Sequence, residues 1–148
     1  MDDSLKQIQC IGVMTSGGDA PGMNPFIRAV VRTASGAGIR VIGVEGGFEG
    51  LIHGKFRQLG IREVGGILQR GGTILQTARS KEFREPGGQM EAIRQINNAG
   101  MDALIIAGGD GSLNGGQMRS RRGMPGIGVP ASVDNDICSA YVWIGGDT

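Results

Sequence analysis

Residues 9–44 read QCIGVMTSGGDAPGMNPFIRAVVRTASGAGIRVIGV, and this stretch decides the fold class. An apolar run from Gln9 to Met14 leads into a glycine-rich turn, which is typical of a central strand that delivers a loop. A helix is predicted next, with Asn24 as its N-cap and Pro25 at its first position. Arg40 to Val44 predicts a second buried strand. Strand, glycine turn, helix and strand in about 35 residues indicate a βαβ unit and therefore a parallel sheet.

The middle of the chain is less regular. Residues 45–88 predict mostly loops and short elements, because paired glycines interrupt short apolar pieces. A helical stripe of apolar residues over Gln89 to Ala99 then predicts a long helix, and Gly100 stands where a left-handed terminating residue belongs.

The last third repeats the pattern of strand and glycine turn. Apolar strands are predicted at Ala103 to Ala107 and Ile127 to Val129, with a helix over Leu113 to Arg122 between them. We therefore predict one α/β lobe over residues 1–148, in three αβα layers around a mostly parallel, Rossmann-like central sheet.

The charge balance and cysteine content exclude several classes of protein. Lys and Arg total 15 against 14 Asp and Glu, a net charge of +1 that disfavours binding to nucleic acid or to an anionic membrane surface. No apolar run approaches the roughly 18 to 20 residues of a spanning helix, and no secretory leader is evident. Cys10 and Cys138 form neither a disulfide framework nor a CxxC site. We expect a cytoplasmic protein with free thiols.

Glycine is in excess, with 29 of 148 residues where an average protein has roughly 7%. So many glycines either serve turns and close backbone approach to a ligand or leave the fold loosely specified. Three candidate loops directly follow predicted strands, at Thr15 to Asn24, Gly108 to Ser112 and Pro130 to Asp136. Ligands bind at the carboxyl ends of parallel strands, and glycine amides suit phosphate oxygens, so we expect a phosphate ester at this edge. The alternative is that GGDG is only a tight strand-to-helix turn.

Acidic residues in these loops suggest the remaining chemistry. Asp110 inside a phosphate loop would repel the ligand unless Mg²⁺ lies between them. Asp134 and Asp136, at i, i+2 spacing, point to the same side of an extended loop, where one could accept a proton and the other assist the metal. A solvated Asx turn is the alternative.

Three further charged residues lie outside these loops. Arg79 and Arg84 could clamp the oxygens of a transferring phosphate, although isolated arginines are commonly surface charges. His53 is the only histidine, so a catalytic triad or a zinc site has no second one to use, and we expect no role for it.

Six ordered motifs resemble those of the bacterial, ATP-dependent 6-phosphofructokinases. They are IGVMTSGGDAPGMN at 11–24, RGGT at 70–73, AR at 78–79, EFR at 82–84, GGDGS at 108–112 and VDNDI at 133–137. The resemblance spans about Gln9 to Asp136. Family chains are roughly twice as long, so the resemblance covers the first, ATP-binding half, and we expect the second lobe, with much of the sugar-phosphate pocket, to be absent from this chain.

The resemblance implies a set of ATP-binding residues, which are Gly18, Arg79, Ser80, Gly109, Asp110, Gly111 and Ser112. It places Asp110 and Asp136 at the Mg²⁺ ion. Gly111 favours ATP over pyrophosphate as the phosphoryl donor, because pyrophosphate-dependent relatives tend to carry an acidic residue there.

The same resemblance implies the reaction, which is phosphoryl transfer from ATP to the C1 hydroxyl of fructose 6-phosphate in glycolysis. Asp134 would be the general base and Arg79 would stabilise the transferring phosphoryl group. Ser132 would lie near the transferred group and would bind substrate together with Asp134 and Asp136.

Arg28 and Arg32 resemble effector-site arginines at a subunit interface, although they could also be solvated helix residues. The resemblance therefore implies a homo-oligomer or a complementing second lobe. A non-catalytic nucleotide- or effector-binding module is the main alternative. A lipid or NAD kinase relative, suggested by GGDG alone, is a weaker one that VDNDI disfavours.

Overall fold

The computed structural model describes residues 7–17 and 22–108, and the backbone of residues 126–130. In these residues the strands are β1 (Cys10–Thr15), β2 (Arg40–Val44), β3 (Phe56–Gln58), β4 (Ala103–Gly108) and β5 (Gly126–Pro130). The helices are α1 (Met23–Gly36), α2 (Gly47–Ile52), a 3-10 turn (Glu82–Arg84) and α3 (Pro86–Asn98). The three strands predicted before residue 108, and the one near residue 128, are therefore confirmed to within two residues.

The five strands form one sheet in the order β3-β2-β1-β4-β5. β1 pairs in parallel with β2 and β4, and β4 pairs in parallel with β5, whereas β3 is antiparallel to β2. Thr15 lies opposite Ala107, and Gly108 lies opposite Pro130. The chain therefore leaves β1, β4 and β5 at one common edge, as predicted for a parallel sheet.

Alternation along β1 divides the core between the two faces of the sheet. Cys10 and Met14 pack against α2, the 3-10 turn and α3, while Ile11 and Val13 pack against α1. This arrangement confirms the three-layer α/β architecture. Burial also raises the pKa of the free Cys10 thiol, with a smaller lowering by Arg40 and a smaller raising by Asp102.

The start of α1 differs from the prediction. The N-cap is Gly22, in the left-handed conformation with φ of 95°, and the helix begins at Met23. Asn24 is not the N-cap, and Pro25 is not at the first helical position but still lies in the first turn, where its missing N–H costs nothing. The prediction failed because the Asn24 side chain bonds to a distant loop instead of to its own helix.

The start of α3 also differs from the prediction. It begins at Pro86, three residues before Gln89, with proline at its first position, which suits its fixed φ. Gly100 ends the helix with φ of 74°, as predicted. The helix predicted over Leu113 to Arg122 lies outside the described residues. No helix in the described residues is long and apolar enough to span a membrane.

Candidate functional site

The common edge of the sheet is the candidate site. β1 is followed by residues 16–22, and the Ser16 N–H donates to the carbonyl oxygen of Ala107 at 2.9 Å, which keeps the ends of β1 and β4 side by side. The ends of β4 and β5 lie next to each other, because Gly108 lies opposite Pro130. Eight predicted site residues follow these strands in the chain but lie outside the described residues: Gly18, Gly109, Asp110, Gly111, Ser112, Ser132, Asp134 and Asp136.

Arg79 belongs to the segment between β3 and the 3-10 turn, and this segment passes the same edge of the sheet. The Gly46 N–H donates to the Leu75 carbonyl oxygen at 2.8 Å. Gly47 lies between β1 and this chain, so a Cβ on it would be 3.4 Å from the carbonyl oxygens of both Thr15 and Ala78. Since Arg79 directly follows Ala78, the structure brings this predicted cation to the end of β1.

Arg79 itself is exposed, and the described residues place no carboxylate within ion-pair distance of it. Its guanidinium is therefore not neutralised by the described part of the chain. A guanidinium offers five N–H donors in a planar fork that suits phosphate oxygens. Its position and charge fit the predicted role at a phosphate group.

Asn24 connects the start of α1 to the loop that precedes Arg79. Its Nδ2 donates to the Arg70 carbonyl oxygen at 3.0 Å, with a longer contact to that of Gly71 at 3.4 Å. Its Oδ1 accepts from the Ile74 N–H at 2.7 Å. This side chain, buried with 1% of its surface exposed, therefore holds both ends of the turn at residues 70–74.

Thr15 connects the end of β1 to the same loop. Its hydroxyl lies 2.8 Å from the Thr73 hydroxyl and donates to the Gln76 carbonyl oxygen at 3.4 Å. Thr15 is fully buried. The sequence pattern did not predict these contacts of Thr15 and Asn24, because they join residues 46 to 61 positions apart.

Ser80, predicted to bind ATP, is bonded on both sides by the protein. Its hydroxyl oxygen accepts from the Phe83 N–H at 3.2 Å, and its hydroxyl donates to the Glu49 carboxylate. The same carboxylate lies 2.8 Å from Nε2 of His53. These contacts, Ser80 first and His53 second, lower the pKa of Glu49 below its ordinary value of 4.5. His53, for which we expected no role, therefore helps to hold Glu49 beside Ser80.

An aromatic pair holds α2 against the 3-10 turn. The rings of Phe48 and Phe83 stack with centroids 4.1 Å apart and an interplanar angle of 22°. Both residues belong to the core on the α3 face. Gly47 approaches Ala78, Glu49 bonds to Ser80 and Phe48 stacks on Phe83. The Arg79 segment therefore packs against α2.

Glu49, His53 and Glu82 form the set of potential metal ligands in the described part of the chain, with donor atoms within 4.8 Å of one another. The set includes neither residue predicted to bind Mg²⁺. Asp110 and Asp136 would supply the carboxylate oxygens that Mg²⁺ prefers, and the strands that precede them in the chain, β4 and β5, are neighbours in the sheet. The donor chemistry of the predicted pair therefore fits the ion.

Arg28 and Arg32 lie four residues apart on α1, so they are neighbours on its surface, away from the face that packs on the sheet. Arg28 is half-buried and Arg32 is exposed, and no ion pair joins either of them to a carboxylate of the described residues. Their predicted role at an effector site stays a prediction, and no described contact joins them to Arg79.

Comparison with known proteins decides the family. The family model described as Phosphofructokinase matches residues 10–148. The chain belongs to the phosphofructokinase family. The ATP-dependent 6-phosphofructokinases of Lysinibacillus sphaericus and Enterococcus faecalis are each 48% identical to it over 138 residues, which is 93% of this chain. The chain spans 43% of the length of either relative.

Solved phosphofructokinase structures share the fold. Pichia pastoris phosphofructokinase in the T-state superposes with a TM-score of 0.86 at 41% identity, covering 95% of this chain and 18% of that one. A pyrophosphate-dependent phosphofructokinase from Marinobacter aquaeolei superposes with a TM-score of 0.71 over 86% of this chain and 34% of that one. At 21% identity, that second likeness shows the fold alone. The α/β fold of this chain is thus a phosphofructokinase fold.

Proposed function

We propose that this chain is the nucleotide-binding lobe of an ATP-dependent 6-phosphofructokinase, which transfers the γ-phosphoryl group of ATP to the C1 hydroxyl of fructose 6-phosphate. The observation that carries the proposal is the 48% identity to ATP-dependent 6-phosphofructokinases over 93% of the chain. The position of Arg79 at the carboxyl edge of the sheet, without a described carboxylate partner, supports it.

In this proposal the site residues act mainly by position and charge. Backbone amides around Gly18 and Gly109 to Ser112 receive the phosphates, with Ser80 at the nucleotide. Asp134 takes the proton from the C1 hydroxyl as that oxygen bonds to the γ-phosphorus. The bond from the γ-phosphorus to the bridging oxygen breaks, and ADP leaves.

Arg79 stabilises the negative charge on the transferring group. Electrostatic stabilisation of this kind is usually the largest single contribution of a protein to the rate. Ser132 binds the sugar-phosphate substrate, and Asp136 assists Asp134 in its role as general base. Mg²⁺, when bound, neutralises phosphate charge, and Asp110 and Asp136 would hold it. Gly111 favours ATP as the donor.

Further parts of the proposal concern the assembly. The matched relatives are more than twice as long as the matched segment, so turnover uses a second lobe, either in one polypeptide or from a partner. Arg28 and Arg32 bind an anionic effector where subunits of a homo-oligomer meet, in the cytoplasm.

The test is to incubate the chain with Mg²⁺, ATP and fructose 6-phosphate and to measure fructose 1,6-bisphosphate, with ATP binding followed by calorimetry. We expect ATP binding and, with a second lobe present, product formation that Asp134→Asn abolishes while ATP binding persists. A chain that binds no ATP would contradict the proposal. ATP binding with no product even after a second lobe is added would favour the non-catalytic module.

A further inference from the structure

Two buried polar side chains flank the first glycine loop. Thr15 is the last residue of β1, Asn24 is the second residue of α1, and residues 16–22 lie between them. Thr15 is 0% exposed and Asn24 is 1% exposed. A polar group at such depth is costly unless it is hydrogen-bonded. Both side chains bond outside their own elements, to the loop that leads to Arg79.

The bonds of Asn24 need an amide. The side chain donates to the carbonyl oxygen of Arg70 and accepts from the N–H of Ile74, so it spans the turn between them. An amide carries a donor and an acceptor on one planar group, whereas a carboxylate has only acceptors. Aspartate in this position would keep the bond from Ile74 but place a charge against the Arg70 carbonyl oxygen.

Thr15 holds the next part of the loop, where the backbone is strained. Gln76 has φ of 60°, a left-handed conformation that a residue with a side chain rarely adopts. Such a conformation persists only where surrounding contacts hold it. Here the Thr15 hydroxyl donates to the carbonyl oxygen of Gln76, and the Gly46 N–H donates to the carbonyl oxygen of Leu75. Arg79 follows Gln76 by three residues.

We propose that Asn24 and Thr15 are positioning residues that fix the Arg79 segment relative to the end of β1 and the start of α1, so that the Arg79 guanidinium is held where it binds the nucleotide. The inference rests on the proposed function, because it takes Mg-ATP as the ligand. Neither side chain needs to touch the nucleotide. Each acts through the loop at residues 70–76, and so through the guanidinium of Arg79.

The test measures the affinity of the chain for Mg-ATP by calorimetry. Asn24→Asp removes the donor to the Arg70 carbonyl oxygen, and Thr15→Val removes the hydroxyl at nearly constant volume. Each is expected to weaken Mg-ATP binding about tenfold, since a misplaced charged donor loses most of its hydrogen-bond energy. Thr15→Ser, which keeps the hydroxyl, should restore the affinity.

Two matched controls lie on exposed helix surface. Asn97→Asp on α3 and Thr33→Val on α1 make the same chemical changes, and we expect wild-type affinity for both. Circular dichroism of each variant reports whether it folds. If Asn24→Asp does not fold, the conservative pair at Thr15 carries the test.

A double-mutant cycle separates positioning from general damage. In an Arg79→Ala background, Asn24→Asp and Thr15→Val should cause no further loss of Mg-ATP affinity, because their effect passes through the missing guanidinium. Full additivity with Arg79→Ala would overturn the inference, as would wild-type affinity in both single variants. In either case, a loss caused by Arg79→Ala alone would leave the proposed function standing. Absence of Mg-ATP binding by the wild type would instead contradict the proposed function itself.

Discussion

The surface of α1 and the loop before the 3-10 turn carry their arginines in different ways. On α1, Arg28 and Arg32 are placed by helical periodicity, and the helix is held by apolar contacts with the sheet. Arg79 is placed by long-range polar contacts and by the close approach of Gly47 to Ala78. A helix absorbs a surface substitution, whereas a loop held by a few specific bonds does not. The candidate active-site arginine is therefore the one most sensitive to distant changes.

The largest effect is expected from the apolar contacts beneath α1. Ile27 is fully buried against the sheet, so Ile27→Ala should lower the free energy of unfolding by about 2–5 kcal/mol through lost burial and a cavity. Urea denaturation measures it. Ile61, which is 58% exposed, provides the matched control, and Ile61→Ala should stay within about 0.5 kcal/mol of the wild type. Equal losses at both positions would contradict the core described for α1.

A pair of glycine substitutions should act in opposite directions in the two regions. Gly47→Ala puts a Cβ at φ of 59°, against the carbonyl oxygens of Thr15 and Ala78, and should destabilise by about 1–2 kcal/mol. Gly36→Ala, at the end of α1, meets nothing within 4 Å and should stabilise by about 0.5–1 kcal/mol. Thermal unfolding of the two variants measures both effects. Stabilisation by Gly47→Ala would contradict the close packing of α2 against Ala78 in the Arg79 segment.

The smallest effect is expected at Glu49 and depends on pH. Its contacts with Ser80 and His53 lower its pKa in the folded chain, so ionised Glu49 stabilises the fold above its ordinary pKa of 4.5. This contribution should disappear as pH falls through the lowered pKa. Melting temperatures of wild type and Glu49→Gln should therefore differ at pH 7 and converge in acid. A difference that grows below pH 4.5 would have the wrong sign.

Much of the fold could be predicted from local pattern. The prediction for β2 matches its bounds, that for β1 is shifted by one residue, and that for β4 ends one residue early. Short apolar runs that end in glycine are distinctive of buried parallel strands. The strand pattern also placed the candidate loops at one edge, which the register of β1, β4 and β5 confirms.

Other features depend on contacts between residues far apart in sequence. Asparagine is a common N-cap residue, but the side chain of Asn24 forms its hydrogen bonds with the loop at residues 70–74 instead. The start of α3 was missed because Gly87 and Gly88 are poor helix formers. Gly88 is nevertheless required there, since a Cβ on it would collide with the carbonyl group of Glu82. Arg79 was predicted from its motif, whereas the contact of its segment with α2 has no local signal in the sequence.

The central claim, that nucleotide binds at the carboxyl edge of the sheet beside Arg79, is tested most directly by titrating the isotopically labelled chain with Mg-ATP and following its backbone amides by NMR. The account predicts shifts at Gly17, Ser80 and Gly108 and none at Gly38 and Gly100 of the opposite edge. At the same Mg-ATP concentration, the shifts should be smaller in Arg79→Ala but not in Arg28→Ala. Shifts confined to the Gly38 and Gly100 edge, or unchanged shifts in Arg79→Ala, would contradict it.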